Sequence, residues 1–543
     1  MKGRMLKRLP FLFAALLVAC GIAPPSARDV SEAWLPDLGN GQYQNPVIHA
    51  DYSDPDVIRV GDMYYLVSSS FNNAPGLPLL QSPDMVNWTL VGHALPQQVP
   101  LDVFALPQHG KGVWAPCLRY HDGKFWIFYP DPDFGVYVMT ATTFAGPWSA
   151  PQLLLTGKGI IDPTPLWDDD GKAYLMHAWA KSRAGISNLL TLRRMAPDGS
   201  RMLEGSGKVV IDANKLPGYT TLEGPKLYKH AGYYYVFTPA GGVEFGWQSV
   251  FRSRSIEGPY EDKVVMAQGG SRINGPHQGA WVRNPQGEDW FFHFQDKRAY
   301  GRVVHLQPMR WRDGWPVIGE DVNGDGKGQP VERYRKPVAG GVPTAPATSD
   351  EFDGATLGLQ WQWNANWRPE WYSLSARAGS LRLYGVADTG LARQRNLWDT
   401  PSLLLQKLPA ESFTVTTKLD VSAMTDGGSA GLIMYGSDYA WLGARRVDGK
   451  TRLALVSCMN TEAGCREHED AFADLASTQV WLRMQVRPGG ITSFSYSHDG
   501  QVYKAIGEPF NARMGRWVGA QMGLFSAAPT GGYIDVDYFR VSP

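Results

Sequence analysis

One short pattern recurs five times in the N-terminal part of this chain, and a chain that repeats itself in this way has few folds open to it. A turn bearing Asp or Gly is followed by an aromatic strand. The copies are "VGDMYYLVSSSF" from Val60, "YHDGKFWIFYP" from Tyr120, "DDDGKAYLMHAW" from Asp168, "KHAGYYYVFTPA" from Lys229 and "QGEDWFFHFQ" from Gln286. Each turn is a hairpin signal. They lie about 50–60 residues apart, close to the unit size of a propeller blade. Ahead of the copies stand "SDPDVIR", "VWAPCLR", "IDPTPLW", "LEGPKLY" and "NGPHQGAW". Weaker outer-strand echoes follow most copies, such as "SPDMVNW" and "RSIEGPY". Each unit therefore reads as several antiparallel strands, the first starting behind a Pro.

Five such units predict a five-bladed β-propeller. Gly at 60 and Pro at 39 agree, since they imply many turns and short strands rather than long helices. The first strand of each blade lines the central axis, so the residues at the heads of those strands converge on one mouth. Asp54, Asp162 and Glu223, far apart in the chain, are expected at the same point of three blades. A solvated turn accounts for any one of these acids but not for all three. The 20 Trp and 24 Tyr suit large cores or stacking surfaces for flat ligands such as sugar rings. With 52 basic and 52 acidic residues there is no electrostatic footprint for nucleic acid.

The stretches "NPVIHADYSDPDVIRVGDMYYLVSSSF", "GVWAPCLRYHDGKFWIFY", "IDPTPLWDDDGKAYL", "TLEGPKLYKHAGYYYVF" and "YGRVVHLQPMRW" resemble glycoside hydrolase family 43, over roughly residues 40 to 340. The resemblance implies an inverting glycosidase on a five-bladed propeller, mainly a β-xylosidase, α-L-arabinofuranosidase or arabinanase. It makes Asp54 the general base, Glu223 the general acid and Asp162 the carboxylate that orients and tunes the acid. Inversion asks for such a set: one carboxylate activates water, and a protonated carboxyl ~6.5–9.5 Å away protonates the leaving oxygen. A third acid beside Glu223 keeps it protonated by like-charge repulsion. No metal or cofactor is required. Phe71 and Trp114 resemble the aromatic walls of the terminal-sugar pocket, Arg302 the arginine that contacts substrate hydroxyls, and His277 a central-channel histidine. Trp114 is otherwise plain core packing, Arg302 a surface ion pair and His277 a satisfied structural histidine. Asp56 is expected to bond backbone at its strand, and Asp51 to stand behind the site. The chain departs from the family at "PAGGVEFG", Pro239 to Gly246, where some xylosidases carry a polar "EGGT" string.

The remainder divides readily. "RKPVAGGVPTAPATS" contains a linker (residues 336–348) between a propeller at 41–335 and a region at 349–543 of short alternating strands, such as "FTVTTKLDV" and "WLRMQV". That region reads as an antiparallel sandwich, and it resembles the concanavalin-like C-terminal domain of family 43 xylosidases, either carbohydrate-binding or purely structural. "DVNGDGKGQPVE", Asp321 to Glu332, fits the calcium-loop spacing, so it is either a Ca2+ site or an Asp/Gly-rich turn. Cys458 and Cys465 flank a loop, as a disulfide or as two free thiols. At the N-terminus, basic residues precede the apolar "FLFAALLV", too short to span a bilayer. The "LVACG" that ends it resembles a bacterial lipobox. That implies a signal peptide over residues 1–20, a lipid on Cys20, export to a membrane-anchored position and a tether over 21–40.

The function expected is an exo-acting pentosidase that releases terminal β-D-xylose from xylo-oligosaccharides. The alternatives are α-L-arabinofuranosidase or dual activity, a non-catalytic sugar-binding lipoprotein, and an endo-arabinanase, which would need an open groove.

Overall fold

The computed structural model describes residues 30–203, 205–386 and 396–543; Cys20 lies outside them. Five four-stranded antiparallel sheets come first, each with its strands in chain order. Their first strands are Asp56–Val60, Cys117–His121, Ile160–Trp167, Lys226–His230 and His277–Arg283. The aromatic repeat supplies the second strands, Met63–Val67, Lys124–Asp131, Ala173–Trp179, Tyr233–Ala240 and Asp289–Asp296. Three of the connecting turns are two residues long: Val60 pairs with Met63, and the other two are alike, His121 pairing with Lys124 and His230 with Tyr233. In these last two the central residues all have positive φ: Asp122 52°, Gly123 73°, Ala231 47° and Gly232 77°. That is the turn whose twist matches the flanking strands.

Neighbouring blades share apolar seams, which is why the repeats are aromatic. Val67 and Leu79 meet Leu118 and Ile127. Phe128 and Val138 meet Leu175. Met176 and Leu190 meet Leu227 and Val236, and Phe237 and Val250 meet Phe291. The seam of Phe292 and Leu306 with Leu66 and Leu80 closes the ring. The N-terminal segment reinforces that closure. Ile48 and Val304 exchange both backbone hydrogen bonds, at 3.2 and 3.0 Å, and Gln42–Gln44 pairs antiparallel with Arg333–Arg335.

Part of the expected tether is not free. Trp34 Nε1 donates to Pro46 O at 2.8 Å, and its ring lies 5.4 Å from that of His49. Asp37 accepts from Asn87 Nδ2 at 2.8 Å and pairs with Lys336, the first residue of the expected linker, which is buried between Asp37 and Asp84. One indole and one ion pair fix a segment whose composition reads as flexible.

The C-terminal region is a sandwich of two seven-stranded sheets. Phe413, Val415 and Leu419 of one sheet face Leu432, Met434 and Leu442 of the other, in a single core. Cys458 and Cys465 form a disulfide, with Cα atoms 5.9 Å apart, and Cys117 is a buried free thiol.

The calcium reading does not fit its loop. Asp321 Oδ2 accepts from Arg312 Nη2 at 2.6 Å and from Gly326 N at 3.0 Å, so a guanidinium already pairs with the first carboxylate of the pattern, whose Oδ1 is buried without a hydrogen-bond partner. Glu332, the last position of the pattern, faces Arg272 at 3.8 Å instead. Among the described residues no three His, Cys, Asp or Glu side chains cluster as metal ligands.

Candidate active site

Asp54 and Asp162 each precede a Pro, the first at the head of its strand and the second at the register shift near the start of Ile160–Trp167, and each has φ 54°. Aspartate is one of the few residues that visit this left-handed region at modest cost. In the fourth blade the matching place before Pro225 is Gly224, φ 62°, and Glu223 stands one residue earlier. The three acids therefore do not share one blade position, as the sequence suggested. The crowded place takes a glycine, where a Cβ would meet the Gln278 side chain at 3.0 Å. The longer Glu reaches in from the residue before it.

Each carboxyl is held differently. Asp54 Oδ2 accepts from Ser53 Oγ at 2.7 Å and Ser69 Oγ at 2.6 Å, and Arg302 Nη1 lies 3.3 Å from Oδ1. Asp162 Oδ2 accepts from Gly224 N at 2.7 Å, and Oδ1 from Gln278 Nε2 at 3.2 Å. This ties Asp162 directly to the peptide beside Glu223. Burial raises the Asp162 carboxyl to about 6, with the charge of Asp54 adding to the rise and the Gly224 hydrogen bond opposing it. Among the described residues no hydrogen bond to the Glu223 carboxyl softens its burial. Its side chain is a quarter exposed and lines the pocket. Burial first, then the charge of Asp162, push it up to about 8, against the pull of Arg302. Such a group keeps its proton at neutral pH and can donate it. His277 Nε2 lies 3.5 Å from Glu223 Oε1. Burial holds its imidazole down to about 3, so it stands neutral beside the acid.

These groups line one pocket of about 410 Å3, within the range of small-ligand sites. Phe71 and Trp114 form part of its wall, with ring centroids 6.3 Å apart. Phe71 is pinned by paired backbone bonds to Val113, at 2.9 and 3.1 Å. Trp114 is half-buried, with Arg183 5.3 Å over its ring. Arg302 is a buried partner of Asp54 rather than a surface ion pair. Every site residue expected on the propeller thus meets the others here.

The sequence reading missed two kinds of residue. Gln278 follows His277 directly and bonds Asp162; its φ of 40° marks a bulge that the sequence conceals. Trp517 comes from the sandwich, in "RMGRWVGAQ", and lines the pocket 6.1 Å from Trp114 and 5.6 Å from the Arg302 guanidinium. A lone Trp in a Gly/Arg loop between strands was the only available signal. Of the remaining acids, Asp56 Oδ2 accepts from Leu118 N at 2.7 Å and Arg119 at 2.9 Å, as expected of a structural carboxylate.

The matches to known proteins agree with this geometry. Residues 43–316 match the model of "Glycosyl hydrolases family 43", and residues 349–542 that of "Beta xylosidase C-terminal Concanavalin A-like domain". A beta-xylosidase of Formosa agariphila is 33% identical, over 98% of this chain and 97% of its own. A non-reducing end alpha-L-arabinofuranosidase of Bacteroides ovatus is 32% identical, over 75% and 76%. The crystal structure of a xylan beta-1,4-xylosidase from Bacillus halodurans superposes with a TM-score of 0.81 at 26% identity, covering 92% of this chain and all of that one. With a carboxyl trio at the mouth of a five-bladed ring, a sandwich behind it, and both family models matched in order, the chain belongs to glycoside hydrolase family 43.

Proposed function

We propose that the protein is an exo-acting, inverting β-xylosidase that removes terminal β-D-xylosyl residues from xylo-oligosaccharides. The observation that carries this reading is the make-up of the pocket: the three carboxyls share one cavity with an aromatic wall of Phe71 and Trp114, and Trp517 of the sandwich, its ring 6.1 Å from that of Trp114, extends this wall from the second domain. In this reading Asp54, held by two serine hydroxyls and Arg302, takes a proton from the attacking water. Glu223 gives its proton to the departing oxygen from the other side. Asp162 holds the Gly224 peptide and lends its charge to keep Glu223 protonated. His277 and Arg302 are placed to contact sugar hydroxyls, and Phe71, Trp114 and Trp517 to cover the ring faces.

A second reading, α-L-arabinofuranosidase or dual activity, rests on Val243. The "PAGGVEFG" loop sets this apolar residue on the pocket where some family xylosidases carry a polar string. Turnover of nitrophenyl β-D-xyloside against nitrophenyl α-L-arabinofuranoside separates the two. Proton NMR of the first product formed reads the stereochemistry, and a product that retains its anomeric configuration removes the inverting mechanism. We further propose that the chain is exported and anchored through a lipid on Cys20, as the "LVACG" string supports. Cys20→Ser should release it from the membrane fraction, and a wild-type protein already soluble after export would remove this reading.

A further inference from the structure

Three residues before the base stands a second aspartate that the reaction does not use. Asp51 is 6% exposed and makes two hydrogen bonds, one to each domain. Its Oδ1 accepts from Arg302 N of the propeller at 2.8 Å. Its Oδ2 accepts from Gly519 N of the sandwich at 2.8 Å. Both donors lie on segments that carry pocket residues: Arg302 itself, and the loop of Trp517, a residue with a left-handed φ of 67°. The two backbones touch at this point. A Cβ on Gly519 would lie 2.6 Å from Gly301 N, and one on Gly301 would lie 2.4 Å from Asp51 Cγ. Ala520 N also donates to Ala299 O at 2.7 Å. No side chain fits between the two segments, so the Asp51 carboxylate is the side chain that bridges them, beside the Ala520–Ala299 backbone bond.

From this juxtaposition we propose that Asp51 is a positioning residue. It clamps the Arg302 strand to the Trp517 loop, so that the arginine and the indole meet the terminal sugar as one preformed unit, 5.6 Å apart. The carboxylate thereby couples the sandwich to the catalytic site. The effect on turnover rests on the glycosidase reading above; the clamp itself does not.

The test uses the full chain. Asp51→Asn keeps the size of the side chain but turns an NH2 group towards one of the two N–H donors. We expect kcat/KM to fall by ~10–100-fold, the range in which small misplacements of binding groups act, while the far-UV circular dichroism is unchanged. Trp517→Ala and Asp51→Asn combined should cost less than the product of the two, by about threefold or more, because the ring that Asp51 places is already gone. A carboxylate that merely stabilised the fold would give a simple product. Hydrogen exchange of peptides covering residues 299–303 and 515–520 should speed up in Asp51→Asn, and this readout needs no substrate. A wild type inactive on xylosides would reject the substrate proposed above, and the cycle would then be run on whichever glycoside it does cleave. Unchanged exchange in both peptides, or a simple product on turnover, overturns the clamp. If Asp51→Asn does not fold, Asp51→Ser is measured in the same two ways.

Discussion

Asp162→Asn should move the alkaline limb of the pH–rate profile to lower pH by about one to one and a half units. The acid must carry its proton, so activity on a poor leaving group falls as Glu223 ionises. In the structure its carboxyl is raised from the ordinary 4.5 to about 8, with burial as the largest cause and the charge of Asp162 as the second. Burial is the larger cause and Arg302 pulls the other way, and a neighbouring like charge typically shifts such a group by about one to three units, so the low end of that range, about one to one and a half, is taken for Asp162. Coulomb's law sets a higher ceiling: a like charge ~4–6 Å away at an effective dielectric constant of ~20 is worth about 3–4 kcal/mol, or two to three pH units. Asp162, itself raised to about 6, is ionised where Glu223 titrates, so its charge is present there to be removed. Asparagine still accepts from Gly224 N through its oxygen, and the Gln278 amide can turn over to offer an acceptor, so the geometry is kept. The assay is kcat/KM on xylobiose from about pH 4 to 10, read as macroscopic values of a coupled set. A limb that stays within about 0.3 of a pH unit, or moves upward, refutes the argument that Asp162 tunes the acid through its charge.

Glu223→Ala should lose ~10²–10⁴-fold on xylobiose but far less on nitrophenyl xyloside, whose leaving group departs without a proton, whereas Asp54→Ala should lose similar factors on both; steady-state kinetics on the two substrates checks the assignment. Replacing Cys458 and Cys465 by alanine opens a short loop in the sandwich, and chain entropy puts the loss at about 2 kcal/mol, or roughly 5 °C in the melting temperature by calorimetry. A chelator should leave both turnover and melting temperature unchanged, because Arg312 and Gly326 already hold Asp321 Oδ2; a drop in melting temperature would restore the calcium loop.

Much of this molecule is written locally. The five turn-and-aromatic copies specify the blades because each encodes its own hairpin, and the hairpins need only nearest-neighbour seams to bury their rings. Asp54 and Asp162 were legible for the same reason: a Pro follows each, and the ring symmetry does the rest. The register of Glu223 was not, because Gly224 takes the left-handed position through its contact with Gln278, more than fifty residues away. Nor could the Asp321 string reveal that Arg312 pairs with its first carboxylate, since a loop pattern records ligands and not the cation that reaches them first. The tether from residue 30 packs through Trp34 and Asp37 against partners distant in the chain. The pocket wall shows the limit most plainly. Trp517 and Asp54 lie at opposite ends of the sequence with no pattern in common, and they share a site because the two domains dock there, through Asp51 to Gly519 and Arg302 and through backbone bonds such as Ala520 to Ala299. Periodicity fixes what each segment can become on its own; which segments end up within hydrogen-bond reach depends on packing between domains, and no stretch of sequence carries that.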